Sequence, residues 1–410
     1  MKAVLSSENR SEIEAQIAVT GSKSESNRLL VLQALYPNLS IKNLSASDDT
    51  IVLSKGLKVH NGTVDIHHAG TAMRFLTAYF AGKEGAEIIL TGSARMQERP
   101  IGVLVDALRR LGARIEYVNV DGYPPLKISG KKLNNEKVSV AAHISSQYIS
   151  ALMLLAPSLS NGLTIVLEGK VTSVPYITMT LALLERMGIN GSFSENEISI
   201  PSSEKVKDVS LVVESDWSSA SYFYSIVALS KNSKIQLSSY RKDSLQGDAA
   251  LSQIYEALGV KTKFLEEENA IVLSKLEVEI QDEIHFDLAN TPDIAQTIAV
   301  SCFGLGKGCV LTGLHTLKIK ETDRLMALKT ELEKLGARVD ISEDSLQLYP
   351  SNKLLKHIAI DTYHDHRMAM AFAPLGLRVP ITINDCGVVS KSFPSFWKDM
   401  TTIGISVDLT

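Results

Sequence analysis

Hydrophobic and polar positions along the chain recur as one composite pattern. A cluster of polar or small residues is followed by an apolar helix, a β-branched strand, a second helix closing on an apolar residue plus glycine, and a short hairpin. The closing pairs are Leu111-Gly112, Met187-Gly188, Leu258-Gly259, Leu335-Gly336 and Ile403-Gly404. Glycine there suits the left-handed residue after a helix C-terminus, and the strands predicted over 113–118 and 337–341 alternate as half-buried strands do. Five repeats are plain. A sixth, from Gly21 to about residue 66, has its first helix over 27–35 and a strand, but a shortened second half. The interval, 68 to 77 residues, exceeds a solenoid period, so these are larger supersecondary units, gathered as two groups of three. The fold class is therefore α/β with two domains. No Gly/Ser-rich or Pro-rich linker separates them, and the boundary falls between Val212 and Ser215. A lone strand over 12–19 is free to join the C-terminal half, which gives domains of 20–213 and of 1–19 with 214–410, the chain crossing twice.

Candidate chemistry concentrates where each first helix opens. The clusters read Gly21-Ser22-Lys23-Ser24, His68-Ala69-Gly70-Thr71-Ala72-Met73-Arg74, Ser145-Ser146-Gln147, Asp216-Trp217-Ser218-Ser219, Thr291-Pro292-Asp293 and His364-Asp365-His366-Arg367. Each small hydroxyl or acid taken singly reads as an N-cap. An uncovered helix N-terminus also offers free N–H groups and the positive dipole end to an anion. Two further segments, Arg95-Met96-Gln97-Glu98-Arg99-Pro100 and Lys320-Glu321-Thr322-Asp323-Arg324, load cations where a helix begins, which is unfavourable unless an anion binds there. Lys23, Arg28, Arg74, Arg99, Lys320, Arg324, Arg367 and Lys391 make a set suited to two or three phosphate or carboxylate groups.

Composition narrows the classes. The 410 residues are 45% hydrophobic and 21% charged with a net charge of −4, an ordinary globular balance without the diffuse basic field of a general nucleic-acid binder. Three cysteines, Cys302, Cys309 and Cys386, lack the spacing of a disulfide framework or zinc site and suit a reducing cytosol. Neither a spanning apolar run nor a signal or transit segment is evident. Gly21-Ser22-Lys23-Ser24 ends like a P-loop but lacks its upstream glycine, and Gly304-Leu305-Gly306-Lys307-Gly308 is not placed as a dinucleotide fingerprint. His67-His68 and His364-Asp365-His366 find no second cluster to complete a metal site.

Seven motifs in order, from about Thr20 to Pro394, carry a resemblance. They are Gly21-Ser22-Lys23-Ser24-x-Ser26-Asn27-Arg28, Ala69-Gly70-Thr71-Ala72-Met73-Arg74, Arg95-Met96-x-Glu98-Arg99-Pro100-Ile101, Ser145-Ser146-Gln147, Lys320-Glu321-Thr322-Asp323-Arg324, Asp365-His366-Arg367-Met368-Ala369-Met370 and Lys391-Ser392-Phe393-Pro394. Together they resemble the 3-phosphoshikimate 1-carboxyvinyltransferase (EPSP synthase) family. The resemblance implies an inside-out α/β barrel in each of two domains, every domain built from three βαβαββ-like units, with the active site in the cleft between them. It also implies transfer of the enolpyruvyl group of phosphoenolpyruvate to the 5-hydroxyl of shikimate 3-phosphate without a cofactor or metal.

By the same likeness Lys23, Ser24, Arg28, Ser145, Ser146, Gln147, Ser173, Tyr176, Asp293 and Lys320 bind shikimate 3-phosphate. Lys23, Gly70, Arg99 and Lys391 grip the phosphoenolpyruvate phosphate, Arg324 and Arg367 hold its carboxylate, and Gln147 also contacts this donor. Addition to the vinyl carbon needs a base for the hydroxyl proton and an acid for the methylene, with roles reversing as phosphate leaves; Asp293 and Glu321 are the carboxylates available. His68, Phe75 and Thr316 stand where the family more often has Asn, Pro and Asn. The nearest rival, transfer to UDP-N-acetylglucosamine, is associated with a Gly-Ala-Lys-Asn-like first motif and a mobile-loop Cys, whereas Cys302 and Cys309 here fall in a helix and a strand. The expectation is a cytoplasmic, monomeric enzyme acting on two small molecules, with no nucleic-acid or membrane partner.

Overall fold

The computed structural model describes residues 1–6, 12–141, 146–169, 171 and 174–410. The chain forms two compact units, a continuous one of residues 21–213 and a discontinuous one of residues 1–20 and 214–410. Thr20 stays with the discontinuous unit because its carbonyl accepts the Asp216 N–H at 3.1 Å. Gly21 begins the other unit, and a β-carbon on it would lie 1.9 Å from the Asn43 carbonyl oxygen, so no larger residue fits this crossover.

Six helices form the centres of the units: Lys23–Leu35, Gly70–Gly82 and Ser146–Leu155 in the continuous unit, Trp217–Leu229, Ala295–Gly304 and His366–Phe372 in the other. Burial runs round nearly the whole circumference of most of them. Every residue of Ala295–Gly304 is buried, as is every residue of Trp217–Leu229 except Ser218. Strands such as Glu197–Ile200 instead alternate exposed and buried positions. A helix apolar on all sides needs protein around it, and a strand with one wet face belongs at the surface, so helices lie inside and sheets outside. Among the described residues no helix is long and apolar enough to cross a membrane.

Five four-stranded sheets share one wiring. Asn61–Asp65 pairs parallel with Glu87–Thr91, which pairs antiparallel with Leu126–Ser129, itself antiparallel to Arg114–Tyr117. The parallel step needs a crossover, and Gly70–Gly82 supplies it. The sixth sheet has two strands, Leu39–Lys42 and Val209–Val212. Its hairpin is missing because helix Asp48–Gly56 leads directly into Asn61–Asp65 of the next sheet, which accounts for the shortened repeat.

Two strands are exchanged at the crossovers. Glu12–Ile17 precedes the first helix of the continuous unit yet pairs parallel with Asn232–Ser238 in the discontinuous one. Val209–Val212 precedes Trp217–Leu229 yet pairs with Leu39–Lys42. The expectation of a lone opening strand needs correction, since Lys2–Ser6 is a strand too. It lies antiparallel between Ile381–Asn384 and Ser406–Leu409, where the other sheets have the last strand of their own hairpin. With apolar Val4 on its exposed face, the five-residue segment shows no clear alternation, which hid it in the sequence.

The five helix-closing glycines are all left-handed, with φ from 77° to 103°. A second recurrence was not anticipated: the residue directly after the second parallel strand is left-handed in five of the six sheets, at Asn43, Gly169, Ser239, Gly313 and Asp385. That turn sends the chain back over the strand ends.

Leu5 is fully buried in the first strand, whereas Val4 faces out. Leu5→Ala is therefore expected to cost about 2–5 kcal/mol despite its place near the end of the chain, and Val4→Ala within about 0.5 kcal/mol. Urea denaturation of the two variants measures this, and equal midpoints would contradict the central position of that strand.

Candidate active site

Nearly all the candidate residues follow the carboxyl ends of parallel strands, the end at which open α/β sheets bind ligands. Residues 67–70, 292–293 and 364–367 come after first parallel strands, at the N-termini of central helices. Arg99, Tyr176, the run 320–324 and Lys391 come after second ones. The repeat thus delivers chemistry to one end of every sheet.

In the discontinuous unit the structure gathers Asp293, Lys320, Glu321, Arg324, Asp365, Arg367 and Lys391. Asp293 sits in the 3-10 turn Pro292–Ile294 that opens helix Ala295–Gly304. Arg324 is the first residue of helix Arg324–Lys334, which Asp323 caps by accepting the Met326 N–H. Asp365 caps helix His366–Phe372, accepting the Arg367 N–H at 2.9 Å. Lys391 ends the turn Cys386–Lys391.

Arg324 is the hub. Its side chain is 2% exposed, and each of its nitrogens faces a carboxylate: Nε to Asp365 Oδ2 at 2.6 Å, Nη1 to Asp293 Oδ1 at 2.9 Å, Nη2 to Glu321 Oε2 at 2.8 Å. Arg367 donates through Nη1 to the Asp293 carbonyl at 3.0 Å, and through Nη2 to the Asp293 carboxylate at 3.3 Å and the Ser218 hydroxyl at 3.2 Å. Lys320 stands 3.5 Å from Asp293 and Lys391 3.0 Å from Glu321. Four cations thus face these three carboxylates, and a fourth acid, Asp248, lies near enough to act on Arg367. Burial alone would raise the Asp293 carboxyl, but Arg367, Lys320 and Arg324 outweigh it and hold that group well below the usual carboxylate range. Burial pulls the two guanidiniums down, yet the carboxylates around them more than compensate, so both remain charged.

The continuous unit carries the rest of the set. Lys23 opens helix Lys23–Leu35 behind its cap Ser22, with its ammonium 3.9 Å from Asp49. Arg28 is buried, and Glu25 on the same helix acts on it electrostatically. It donates to Thr180 Oγ1 at 2.8 Å, Ser150 Oγ at 2.7 Å and the Ser24 carbonyl at 2.9 Å, and lies over the rings of Phe75 and Tyr176. Burial lowers its pKa to about 10, which leaves it cationic at neutrality. Helix Gly70–Gly82 has no side-chain cap at its N-terminus. Arg99 Nη1 would be 2.7 Å from a β-carbon on Gly70, so glycine is what lets that guanidinium lie against the helix end. Gln147 donates to Thr71 Oγ1 at 3.3 Å at the same terminus. Ser146 opens helix Ser146–Leu155, and Tyr176 lies in helix Val174–Arg186. Ser145 and Ser173 lie outside the described residues.

Some residues take roles that sequence reasoning did not assign. Arg74, grouped with the anion-binding cations, is buried and ties the Gly70 and Pro100 carbonyls together, so it braces the loop bearing Arg99. Asp365 was read as part of a motif without a task, yet it orients both arginines of the cluster. Asp248, Ser218 and Thr291 also reach the cluster; Ser218 and Thr291 had been read only as helix openers. His68 is exposed just before Gly70, whereas Phe75 supports Arg28 from below. Cys302 and Cys309 are buried in helix Ala295–Gly304 and strand Gly308–Thr312, away from any loop.

Asp293→Asn removes the shared partner of three cations and is expected to cost about 3–5 kcal/mol at pH 7. Because the folded pKa lies below the unfolded value of about 3.9, the native carboxylate stabilises fully above that value and loses its contribution as pH falls through the folded pKa. The stability gap between native and variant should close below about pH 4. Denaturation at pH 7 and in that acid window checks this, and an unchanged gap would show that the cations do not hold Asp293 ionised.

Comparison with known proteins follows the same lines. The family model described as EPSP synthase (3-phosphoshikimate 1-carboxyvinyltransferase) matches residues 51–400. The 3-phosphoshikimate 1-carboxyvinyltransferase of Bacteroides fragilis (strain YCH46) is 43% identical over 401 residues, 97% of either chain. That of Colwellia psychrerythraea is 36% identical over 423 residues, covering 96% of this chain and 97% of its own. A solved EPSP synthase from Acinetobacter baumannii aligns over the whole of both chains with a TM-score of 0.80 at 20% identity, a likeness of fold.

Proposed function

The chain belongs to the EPSP synthase family, and on that premise we propose that it transfers the enolpyruvyl group of phosphoenolpyruvate to the 5-hydroxyl of shikimate 3-phosphate, releasing inorganic phosphate. It is a transferase of the shikimate pathway, which leads to the aromatic amino acids. The observation that carries this reading is the shared guanidinium: Arg324 holds both Asp293 and Glu321 within 2.9 Å inside a cluster of four cations.

The reaction is an addition followed by an elimination. The 5-hydroxyl oxygen bonds to C2 of phosphoenolpyruvate while its proton passes to Asp293, and Glu321 delivers a proton to the methylene carbon. In the second step a proton leaves the new methyl group, the carbon–oxygen bond to phosphate breaks, and the double bond re-forms. No electrons are gained or lost.

In the ligand-free arrangement Asp293 is a poor base because three cations hold it ionised. A donor carboxylate bidentate to Arg324 and Arg367 replaces Asp293 and Glu321 as their partner, which raises the basicity of both carboxylates as the substrate arrives. Lys23, Arg99 with Gly70, and Lys391 take the donor phosphate. Ser24, Arg28, Ser145, Ser146, Gln147, Ser173, Tyr176 and Lys320 recognise shikimate 3-phosphate. Arg28, with hydroxyl and carbonyl partners and an aromatic ring on its flank, suits the acceptor's carboxylate. All three cysteines are free thiols, which supports a cytosolic setting.

A phosphate-release assay tests the reading. Phosphoenolpyruvate with shikimate 3-phosphate should give turnover, and phosphoenolpyruvate with UDP-N-acetylglucosamine none; the reverse result would reassign the acceptor. Asp293→Asn and Glu321→Gln should each lower kcat by roughly 10²–10⁴ while both substrates still bind. Near-native turnover in either variant would remove that residue from the proton transfers.

A further inference from the structure

Asp248 lies outside the seven motifs quoted above, in the 3-10 turn Gly247–Ala250 that follows strand Asn232–Ser238. The turn is pinned to the opening of helix Trp217–Leu229 by Gln246, which accepts the Trp217 N–H at 3.0 Å and donates to the Ser215 carbonyl at 2.9 Å. The carboxylate is buried, and each of its oxygens accepts one hydroxyl: Ser218 on Oδ2, Thr291 on Oδ1 at 2.5 Å. Burial, then the repulsion of Asp293, pushes this carboxyl upward from its ordinary value, and Arg367 with the two hydroxyls offsets only part of that. A buried acid kept at such a cost, in a place where an apolar residue would pack, calls for a function.

Both hydroxyls lead to the reacting groups. Ser218 Oγ accepts Arg367 Nη2, and Thr291 precedes by two residues the carboxylate of Asp293 in the turn Pro292–Ile294. We propose that Asp248 is a positioning residue for enolpyruvyl transfer, aligning Arg367 through the Ser218 hydroxyl and the Asp293 turn through the Thr291 hydroxyl.

The direction of the hydroxyls is the physical content. A serine hydroxyl has one proton to give, and an arginine can only donate. By accepting a hydrogen bond from the Ser218 hydroxyl, Asp248 turns that proton away from the guanidinium and keeps an Oγ lone pair aimed at Arg367. Turned the other way, Ser218 would point a proton at a guanidinium, and Arg367 would lose the contact that sets its angle. An amide at 248 cannot satisfy both hydroxyls as an acceptor with its two atoms: one oxygen accepts, and the nitrogen donates. The amide can hold one hydroxyl at a time and flips between the two, so neither arm stays fixed.

This role rests on the reading that Arg367 holds the donor carboxylate and Asp293 moves the proton, and the arms of the test separate the two. Native turnover of phosphoenolpyruvate with shikimate 3-phosphate is measured first; its absence overturns the function and the role of Asp248 with it. Given turnover, Ser218→Ala should raise the KM for phosphoenolpyruvate by about tenfold with kcat little changed, because it cuts the Arg367 arm. Thr291→Val should lower kcat by a similar factor and leave that KM nearly unchanged, because it loosens the Asp293 turn. Asp248→Asn should do both, with the KM for shikimate 3-phosphate within about twofold of native. In the Ser218→Ala background Asp248→Asn should add little further to the phosphoenolpyruvate KM, since coupled residues do not add. Thermal melting of each variant separates kinetics from folding. If Asp248→Asn does not fold, the split between Ser218→Ala and Thr291→Val still decides. Unchanged phosphoenolpyruvate KM in Ser218→Ala, or equal losses for both substrates in step with a lowered melting temperature, would reduce Asp248 to a structural residue and overturn the proposal.

Discussion

The buried guanidinium of Arg324 is the constraint around which the catalytic half is built. A charge this far from water is tolerable only when its donors are met, and here three helix openings or loops each contribute a carboxylate to meet them. That requirement fixes where the ends of helices Ala295–Gly304, Arg324–Lys334 and His366–Phe372 stand relative to one another. It also makes those carboxylates part of the charge balance before any substrate is present. Fold stability and chemistry therefore share the same ion pairs, and neither can be altered alone.

The continuous unit solves a related problem by other means. Arg28 is as deeply buried as Arg324 but is met by hydroxyls, a carbonyl and two aromatic rings, all neutral. Glu25, one turn away on the same helix, supplies part of the balance, and the neutral hydrogen-bond partners leave an arrangement suited to an anionic partner. Arg324, by contrast, has a carboxylate on each of its three nitrogens. The two arginines illustrate how one residue type serves two purposes according to whether its neighbours carry charge.

Much of this was legible in the sequence because the repeat is written in local signals. Gly112, Gly188, Gly259, Gly336 and Gly404 mark helix ends whatever the tertiary surroundings, and the cations at 320–324 and 364–367 are close in sequence as well as in space. The first strand was not legible, because five residues with apolar Val4 facing outward carry no period. Asp248 was invisible for a different reason. Its partners Ser218 and Thr291 are 30 and 43 residues away, and a single acid in a polar loop looks like any solvated one. Arg74 misled because an arginine beside a helix start reads the same whether it offers its donors to a ligand or to its own backbone. Long-range pairing and side-chain direction are what the chain does not spell out locally.

The exchange of Glu12–Ile17 and Val209–Val212 bears on how the polypeptide is made. The strand Glu12–Ile17 leaves the ribosome early, but its partner Asn232–Ser238 lies more than two hundred residues downstream. At ordinary synthesis rates the wait is roughly ten to forty seconds. Leu39–Lys42 waits nearly as long for Val209–Val212. During that interval both strands have open edges, ready to pair with any other extended chain. The finished protein pairs one edge of each strand and leaves the other open, so for that interval the nascent chain carries twice the open strand edge that the folded one keeps.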